Sequence, residues 1–371
     1  MKKYFDDSRI IVIKVGSSLV ANQETSAPNI KWLASLAEDV ADLKKKNKQV
    51  IIVTSGAVAL GRKVLGVKKK ILKLQEKQAA AACGQLSLVS AYQECFSKHK
   101  MNTAQVLLTL EDSEDRRRYL NARNTIETLL DAEIIPVINE NDTVATAEIK
   151  FGDNDRLAAR VAQMVGANLL ILLSDIDGLY TSDPNKNKNA EHIKEVVKID
   201  EKIEKMAAGS VSEVGSGGMV TKISAAKIAV SSGCHTIITL GKNNNPVSNL
   251  FNGEKNTIFI SKENPDSAKK RWIADGLTAK GSVVVDDGAV QALKNGKSLL
   301  PAGVVKVEGE FDRGDTIMVK TKDNKEIARG LSTYSSEDAK KIIGSKSEKI
   351  PEILGFLGRD ELIHRDDMVI K

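Results

Sequence analysis

Two lysines lie beside small, glycine-containing segments of the kind that bind phosphate groups. Lys14 is near the end of the apolar run RIIVIKV and is followed by the turn GSS, and Lys222 ends the segment SGGMVTK. Free backbone N–H groups in such turns bind phosphate oxygens, and a nearby ammonium group strengthens that binding. The chain contains no GxxxxGK[ST] loop and no GxGxxG after a predicted strand. The sequence therefore indicates a phosphate site that is neither a Walker A loop nor a dinucleotide fingerprint.

A dense polar cluster follows a predicted buried strand in residues 137–156, with the sequence VINENDTVATAEIKFGDNDR. A polar hairpin with Asx turns explains one or two of these side chains, and one residue of the triplet at 153–155 is expected to be a helix N-cap. So many carboxylates and carboxamides indicate a binding site as well. The members of the cluster are Asn139, Glu140, Asn141, Asp142, Asp153, Asn154 and Asp155.

A third polar segment, TSGAVA at residues 54–59, follows the apolar run QVIIV. It offers the hydroxyl group of Ser55 and the free N–H groups at the start of a predicted helix. Such donors suit a carboxylate or a developing oxyanion.

Apolar runs that alternate with helical patterns must position these segments. The runs RIIVIKV, QVIIV, EIIPVI, ANLLILL and HTIITL are separated by amphipathic segments over the first 260 residues or so. Near-continuous apolar strands joined by helices are typical of a mostly parallel sheet with both faces covered. Ligands of such sheets bind beyond the carboxyl ends of the strands, which is where the polar segments fall.

The pattern changes after about residue 272. Short apolar runs separated by Asp-Asp-Gly, Asn-Gly and Arg-Gly-Asp predict a small β barrel or sandwich. We therefore expect a first domain at residues 1–262, a linker at 263–275 and a second domain at 276–371. Residues 272–371 carry 16 Lys and Arg and 17 Asp and Glu, although the whole chain has a formal charge of +6. Because phosphate contacts need clustered cations, this balance disfavours RNA binding by the tail.

Composition and sequence pattern argue against a membrane protein and a secreted protein. Hydrophobic residues make up 42% and charged residues 28%, as in globular domains. No apolar stretch reaches the roughly 20 residues of a membrane helix. The three cysteines and four histidines have no CxxC or HExxH spacing, so we expect neither disulfides nor a metal held by the protein. The expected location is the cytoplasm.

The motifs resemble, in content and order, those of the amino acid kinase family. They are KVGSS, TSGAVA, VINENDTVATAEIKFGDND, SDIDGLYTSDP and GSGGMVTK. The combination of INENDTVATAEI with FGDND is similar to the motifs of one branch of that family. Members of that branch phosphorylate the side-chain carboxylate of glutamate in proline synthesis. The tail is similar to a PUA domain. The resemblance implies a three-layer α/β/α fold with a mostly parallel sheet, followed by a small β-barrel-like domain.

The resemblance also implies roles for individual residues. Lys14 and Lys222 would neutralise the transferring phosphoryl group, and Asp155 would hold both ammonium groups. Glutamate would be bound by Ser55, Asn154 and Asp142, with Asp142 pairing its α-ammonium group. The implied nucleotide-binding residues are Lys14, Gly16, Ser17, Ser174, Asp175, Ser216, Gly217, Gly218, Met219, Val220, Thr221 and Lys222.

The same resemblance implies the ligands. ATP would be the phosphoryl donor and L-glutamate the acceptor, and Mg²⁺ would enter with the ATP phosphates without a protein cage. A homodimer or homotetramer and feedback inhibition by proline are also implied.

Three alternatives remain at this point. A kinase acting on acetylglutamate, carbamate or aspartate is disfavoured by the NEND and GDND segments and by the tail. An RNA-binding or RNA-modifying PUA protein is disfavoured by the charge of the tail. A structural assembly subunit leaves the paired lysines and the polar cluster unexplained.

Overall fold

The alternating apolar runs form one large sheet. The structure is a computed structural model that describes residues 2–22, 25–67, 71–144, 153–208, 218–275 and 278–371. It divides into two compact units. The first comprises Met1–Glu114 with Asn121–Pro265, and the second comprises Asp115–Leu120 with Asp266–Lys371.

The sheet of the first unit has eight strands in the order β3-β4-β2-β1-β5-β9-β10-β8. Neighbouring strands are parallel except for β9 and β10, and β6 pairs with β7 separately. The mostly parallel sheet predicted from the sequence is thus confirmed. The strands are β1 Ile10–Val15, β2 Gln49–Thr54, β3 Thr103–Leu108, β4 Ile135–Glu140, β5 Leu169–Ser174, β6 Leu179–Tyr180, β7 His192–Ile193, β8 Glu195–Val196, β9 His235–Leu240 and β10 Asn256–Phe259.

Helices follow most of these strands. Between β1 and β2, the side chain of Asn29 accepts a hydrogen bond from the N–H of Trp32 and so caps the helix that begins at Ile30. The helices that begin in residues 2–246 are α1 Lys2–Asp6, α2 Ser17–Val20, α3 Ile30–Lys45, α4 Ala57–Val64, α5 Leu74–Ser97, α6 Arg116–Asp131, α7 Asp153–Val165, α8 Glu201–Ala208, α9 Met219–Ser231 and α10 Pro246–Phe251.

Both faces of the sheet are buried, and the alternation of side chains along β1 shows how. Ile11, Ile13 and Val15 belong to a core cluster with residues of α3 and α5. Because successive side chains of a strand point to opposite faces, Val12 and Lys14 point to the other face. That face is covered by α7, which packs on β1 and β5 and against α9. The result is the three-layer arrangement.

Helices α4 and α5 approach each other through glycine. A Cβ atom added to Gly84 would lie 1.8 Å from the carbonyl oxygen of Ala57, and one added to Gly61 would lie 1.8 Å from that of Ala80. Any larger residue at either glycine would push the helices apart. This contact brings α5 to the first residue of α4, directly after β2.

The second unit contains a five-stranded sheet in the order β12-β11-β13-β14-β15. Its core cluster includes Val283, Phe311, Ile317 and Ile363. Helix α11 occupies most of the segment predicted as a linker. The remaining elements are α11 Pro265–Asp275, β11 Gly281–Val285, α12 Asp287–Lys294, β12 Val304–Gly309, β13 Thr316–Lys320, β14 Glu326–Leu331, α13 Ser336–Ile342, α14 Ile350–Leu354 and β15 Met368–Ile370. Among the described helices of the chain, none is long and apolar enough to span a membrane.

Candidate active site

The carboxyl ends of the central strands bring the predicted site segments to one edge of the sheet. In the parallel register, Lys14 lies opposite Val53 of β2 and Leu172 of β5. The N–H of Ser55 donates to the carbonyl oxygen of Val15 across this edge, at 3.1 Å. The turns after β1, β2 and β5 therefore lie side by side, as expected for a ligand site of a parallel sheet.

One carboxylate holds the two predicted lysines. Lys14 Nζ lies 2.5 Å from Asp155 Oδ1, and Lys222 Nζ lies 3.4 Å from Asp155 Oδ2. The hydroxyl group of Thr221 donates to the same Oδ2 at 3.1 Å. Asp155 is fully buried, and both lysines are less than 10% exposed. We call Lys14, Asp155 and Lys222 the lysine clamp.

The electrostatics of the lysine clamp keep its carboxylate ionised. Burial by itself raises the pKa of Asp155, but the charges of Lys14 and Lys222, with hydrogen bonds from Lys14 and Thr221, bring that pKa below its ordinary value. A carboxyl group in this state is a poor base. Asp155 therefore suits the orientation of two ammonium groups rather than proton transfer.

The sequence explains why these side chains meet. Lys14 points to the α7 side of the sheet, by the alternation along β1 described above. Asp155 is in the first turn of α7, and Lys222 is in the first turn of α9. Since α7 and α9 pack together on that side, both cations reach the one carboxylate.

Hydrogen-bonded amide side chains lead from the first turn of α7 to α5. Asn154 Nδ2 lies within hydrogen-bond distance of three acceptors: Ser55 Oγ at 2.7 Å, Thr54 O at 3.1 Å and Asn139 Oδ1 at 3.2 Å. Asn139 Nδ2 in turn donates to Gln85 Oε1 on α5 at 2.8 Å. We call Ser55, Asn154, Asn139 and Gln85 the amide chain.

Asp142 lies in the turn after β4, three residues beyond Asn139 in the chain. Burial raises the pKa of this carboxyl group to about 6. Within the described part of the chain it has no hydrogen bond or ion pair. A carboxylate that is partly removed from water and left unpaired suits a cationic ligand group, because a cation would offset the cost of its burial.

The predicted nucleotide residues fall at three element ends. Gly16 precedes α2, which begins with Ser17, and Ser174 ends β5, where its hydroxyl group donates to Asp175 Oδ1 at 3.0 Å. Gly218 precedes α9, which begins with Met219, Val220 and Thr221. Ser216 and Gly217 lie outside the described residues. The nucleotide roles of all of them stay predictions.

Sequence reasoning missed Gln85 as a member of the site. It also gave Thr221 a role toward the nucleotide alone, whereas the hydroxyl group of Thr221 also bonds to Asp155. The signal for Gln85 is Gly84, the preceding residue, because a glycine inside an alanine-rich helix indicates close approach of another backbone.

In the part of the chain that the structure describes, no group of three or more His, Cys, Asp and Glu side chains could hold a metal ion. The carboxylate of Asp155 is engaged by two lysines and is not free to coordinate one.

Comparison with known proteins gives matches along both units. The model of the amino acid kinase family matches residues 9–240, and that of the PUA domain matches residues 281–354. The glutamate 5-kinase of Brucella abortus (strain S19) is 53% identical over 371 residues, which is 100% of this chain and 98% of that protein. The glutamate 5-kinase of Brucella ovis is 52% identical over the same shares. Carbamate kinase from Giardia lamblia bound to AMP-PNP aligns with a TM-score of 0.49 and 14% identity, over 69% of this chain and 99% of that one.

Proposed function

This chain belongs to the amino acid kinase family and carries a PUA domain, and on that premise we propose that it is the ATP-dependent kinase of the L-glutamate side chain. It transfers the γ-phosphoryl group of ATP to the side-chain carboxylate, giving L-glutamyl 5-phosphate and ADP, the first step of proline synthesis from glutamate. The observation that carries this proposal is the full-length match to a glutamate 5-kinase, at 53% identity over 100% of this chain.

The acceptor needs no general base. A side-chain carboxyl group with an ordinary pKa of about 4.3 is already ionised at neutral pH. One of its oxygens attacks the γ-phosphorus, the bond from that phosphorus to the β,γ-bridging oxygen breaks, and ADP leaves with the electron pair. Catalysis then consists of positioning and of neutralising negative charge. The ionised Asp155, a poor base, is consistent with such a reaction.

The residues of the lysine clamp supply the neutralisation. We assign Lys14 and Lys222 to opposite sides of the transferring phosphoryl group, with Asp155 fixing the direction of both. Fixed cations stabilise a transition state without reorganising when charge moves. Gly16 and Ser17 add backbone N–H groups, and the residues around Ser174, Asp175 and 216–222 bind the remainder of ATP.

The acceptor lies at the amide chain. Ser55 and Asn154 bind L-glutamate, and Asp142 pairs its α-ammonium group. Mg²⁺ enters with the phosphates of ATP, where it screens their charge. We propose no protein ligand for Mg²⁺ at the lysine clamp, because Asp155 is paired with Lys14 and Lys222.

The assembly and its regulation rest on the family resemblance alone. We propose a homodimer or homotetramer formed by the kinase domain, and inhibition by proline bound near the glutamate site. We also propose that the kinase domain is residues 1–262, the linker 263–275 and the PUA domain 276–371.

The test is ADP release by the purified protein with L-glutamate, N-acetyl-L-glutamate or L-aspartate, and with hydroxylamine to trap an acyl phosphate as its hydroxamate. We expect ADP and hydroxamate in equal amounts with L-glutamate. Turnover with N-acetyl-L-glutamate or L-aspartate instead would assign the chain to another branch of the family. ADP release with carbamate as the acceptor, giving carbamoyl phosphate, would do the same.

A further inference from the structure

Gln85 is held against the candidate glutamate site by backbone packing. The preceding residue, Gly84, is in contact with the carbonyl group of Ala57, the first residue of α4. Ser55 and Gly56 immediately precede that residue. The side chain of Gln85 therefore starts from a backbone position that the contact between α4 and α5 fixes.

The hydrogen bonds of the amide chain have a defined direction. Gln85 Oε1 accepts from Asn139 Nδ2 at 2.8 Å, so the other end of the Asn139 amide, Oδ1, is directed toward Asn154. Asn154 Nδ2 lies 3.2 Å from that oxygen and 2.7 Å from Ser55 Oγ. Because Ser55 Oγ accepts this bond, its own hydroxyl proton is free to be donated.

Two buried side-chain atoms of the amide chain, Asn154 Oδ1 and Gln85 Nε2, have no hydrogen-bond partner among the described residues. Buried polar atoms normally have partners, and an unpaired one costs free energy. Asn154 Oδ1 is an acceptor, as a site for a ligand ammonium or N–H group requires. The orientation of Asn154 thus decides which atoms the site offers to its ligand.

We propose that Gln85 is a positioning residue for L-glutamate, acting through Asn139; this rests on the proposed function. Gln85 Oε1 holds the Asn139 amide with its oxygen toward Asn154. Without that bond the Asn139 amide turns over readily, and its NH₂ group would then face the NH₂ group of Asn154. Two donors repel, and Thr54 O and Ser55 Oγ still hold Asn154 Nδ2. Asn154 would therefore shift away from Asn139, and its free acceptor, Oδ1, would leave the position that the substrate needs.

Three variants and one control test this inference. Gln85→Met keeps nearly the same shape without hydrogen bonds, Asn139→Ala removes the intermediate amide, and the double variant combines them. Gln93→Met is the matched control. Gln93 is on the same helix, is equally half-buried, and accepts hydrogen bonds from Thr103 at 3.2 and 2.6 Å, away from the site.

We expect Gln85→Met to raise the KM for L-glutamate roughly tenfold, the effect of one hydrogen bond, with kcat and the KM for ATP nearly unchanged. Gln93→Met should change none of the three. If Gln85 acts through Asn139, the double variant should have the KM of Asn139→Ala, since the second substitution removes nothing further.

Additive effects of the two substitutions would overturn the inference, because Gln85 would then act independently of Asn139. An unchanged KM for L-glutamate in Gln85→Met would overturn it too. So would a loss of kcat and thermal stability that appears to the same extent in Gln85→Met and in the control, Gln93→Met.

A measurement without substrate separates this inference from the proposed function. With asparagine labelled by ¹⁵N, the side-chain NH₂ signals of Asn139 and Asn154 are assigned by substitution and followed in each variant. Both signals should shift in Gln85→Met and stay in place in Gln93→Met. An unmoved Asn154 signal refutes the positioning role. Absence of glutamate-dependent ADP release by the unsubstituted protein refutes the proposed function instead.

Discussion

Asn154 and Asp155 are consecutive residues in the first turn of α7, and their side chains join two different networks. Asn154 donates to Ser55 Oγ at 2.7 Å, whereas Asp155 binds Lys14 and Lys222. A single helical turn thus connects the candidate site for the acceptor with the lysine clamp. Any shift of α7 would move both groups together.

The lysine clamp predicts a large loss of turnover without a loss of fold. Lys14→Ala or Lys222→Ala should lower kcat by about two to four orders of magnitude, as the removal of a transition-state charge contact does. Asp155 retains one cation in either variant, which limits the structural damage. The control is Lys227→Ala on the same helix, whose exposed ammonium group pairs with Glu204 at 2.7 Å. Turnover of Lys222→Ala equal to that of the control would remove Lys222 from the mechanism.

Asp142 predicts the choice between L-glutamate and N-acetyl-L-glutamate. Acetylation removes the positive charge of the α-amino group and leaves the partly buried carboxylate of Asp142 without a partner. Such a loss costs several kcal/mol, so kcat/KM for the acetylated compound should be lower by about three orders of magnitude. Asp142→Asn should reduce this discrimination by impairing L-glutamate. Equal kcat/KM values of the unsubstituted protein for the two compounds would contradict the assignment.

The raised pKa of Asp142 predicts a pH dependence of glutamate binding. Below pH 6 the carboxyl group, with its pKa of about 6, becomes neutral and cannot pair an ammonium group. The KM for L-glutamate should therefore rise by up to about tenfold for each pH unit below 6. In Asp142→Asn this rise should be absent and KM high throughout. The measurement is KM from pH 5 to 8, and an equal rise in both proteins would assign the effect to another group.

The same raised pKa predicts that the contribution of Asp142 to the stability of the fold decreases as the pH rises. Because the folded state raises the pKa of Asp142, its folded form binds the proton more tightly than the unfolded chain does. The stability that this residue contributes is present below its ordinary pKa of 3.8 and is lost as the pH rises through about 6. Asp142→Asn should therefore unfold at a higher temperature than the unsubstituted protein at pH 7, with the difference closing toward pH 4. A constant difference across that range would refute the raised pKa.

The described core clusters of the two units share no residues, which predicts that the tail is dispensable for catalysis. The core cluster of the first unit extends from Phe5 to Ile258, and that of the second from Val283 to Met368, without shared members. Residues 1–262 alone should fold and release ADP with L-glutamate, with changes in regulation, metal dependence or assembly. ADP release and oligomer size are measured beside those of the full chain. A soluble, correctly assembled fragment without glutamate-dependent ADP release would place the tail in the catalytic machinery.

Charge predicts weak RNA binding by the isolated segment 272–371. Its 16 basic and 17 acidic residues offer no surplus of cations for phosphate contacts. Binding should therefore be weak and change little with salt. Tight binding that falls steeply between low and physiological salt would show that local clustering outweighs the overall balance.

Much of the site could be predicted because it depends on local pattern. The apolar run of β1 predicts a strand, and the alternation along it decides which face Lys14 points to. The antiparallel pairing of β10 with β9 could not be predicted, since a short apolar run has no mark of its direction. Gln85 was missed for a related reason. Its role depends on the contact between α4 and α5, and such packing is set by residues far apart in the chain.

Phosphoryl transfer to the glutamate side chain can be followed through the oxygen atoms of the acceptor. L-Glutamate labelled with ¹⁸O in both side-chain oxygens is incubated with ATP and the protein, and the acyl phosphate is cleaved with hydroxylamine. Hydroxylamine attacks the acyl carbon, so the released phosphate keeps the bridging oxygen. Phosphoryl transfer to the side-chain carboxylate predicts one ¹⁸O atom in each phosphate released, with formation of labelled phosphate strongly slowed in Lys222→Ala. Phosphate without ¹⁸O would show that the γ-phosphoryl group goes to water and not to glutamate, and would refute the proposed function.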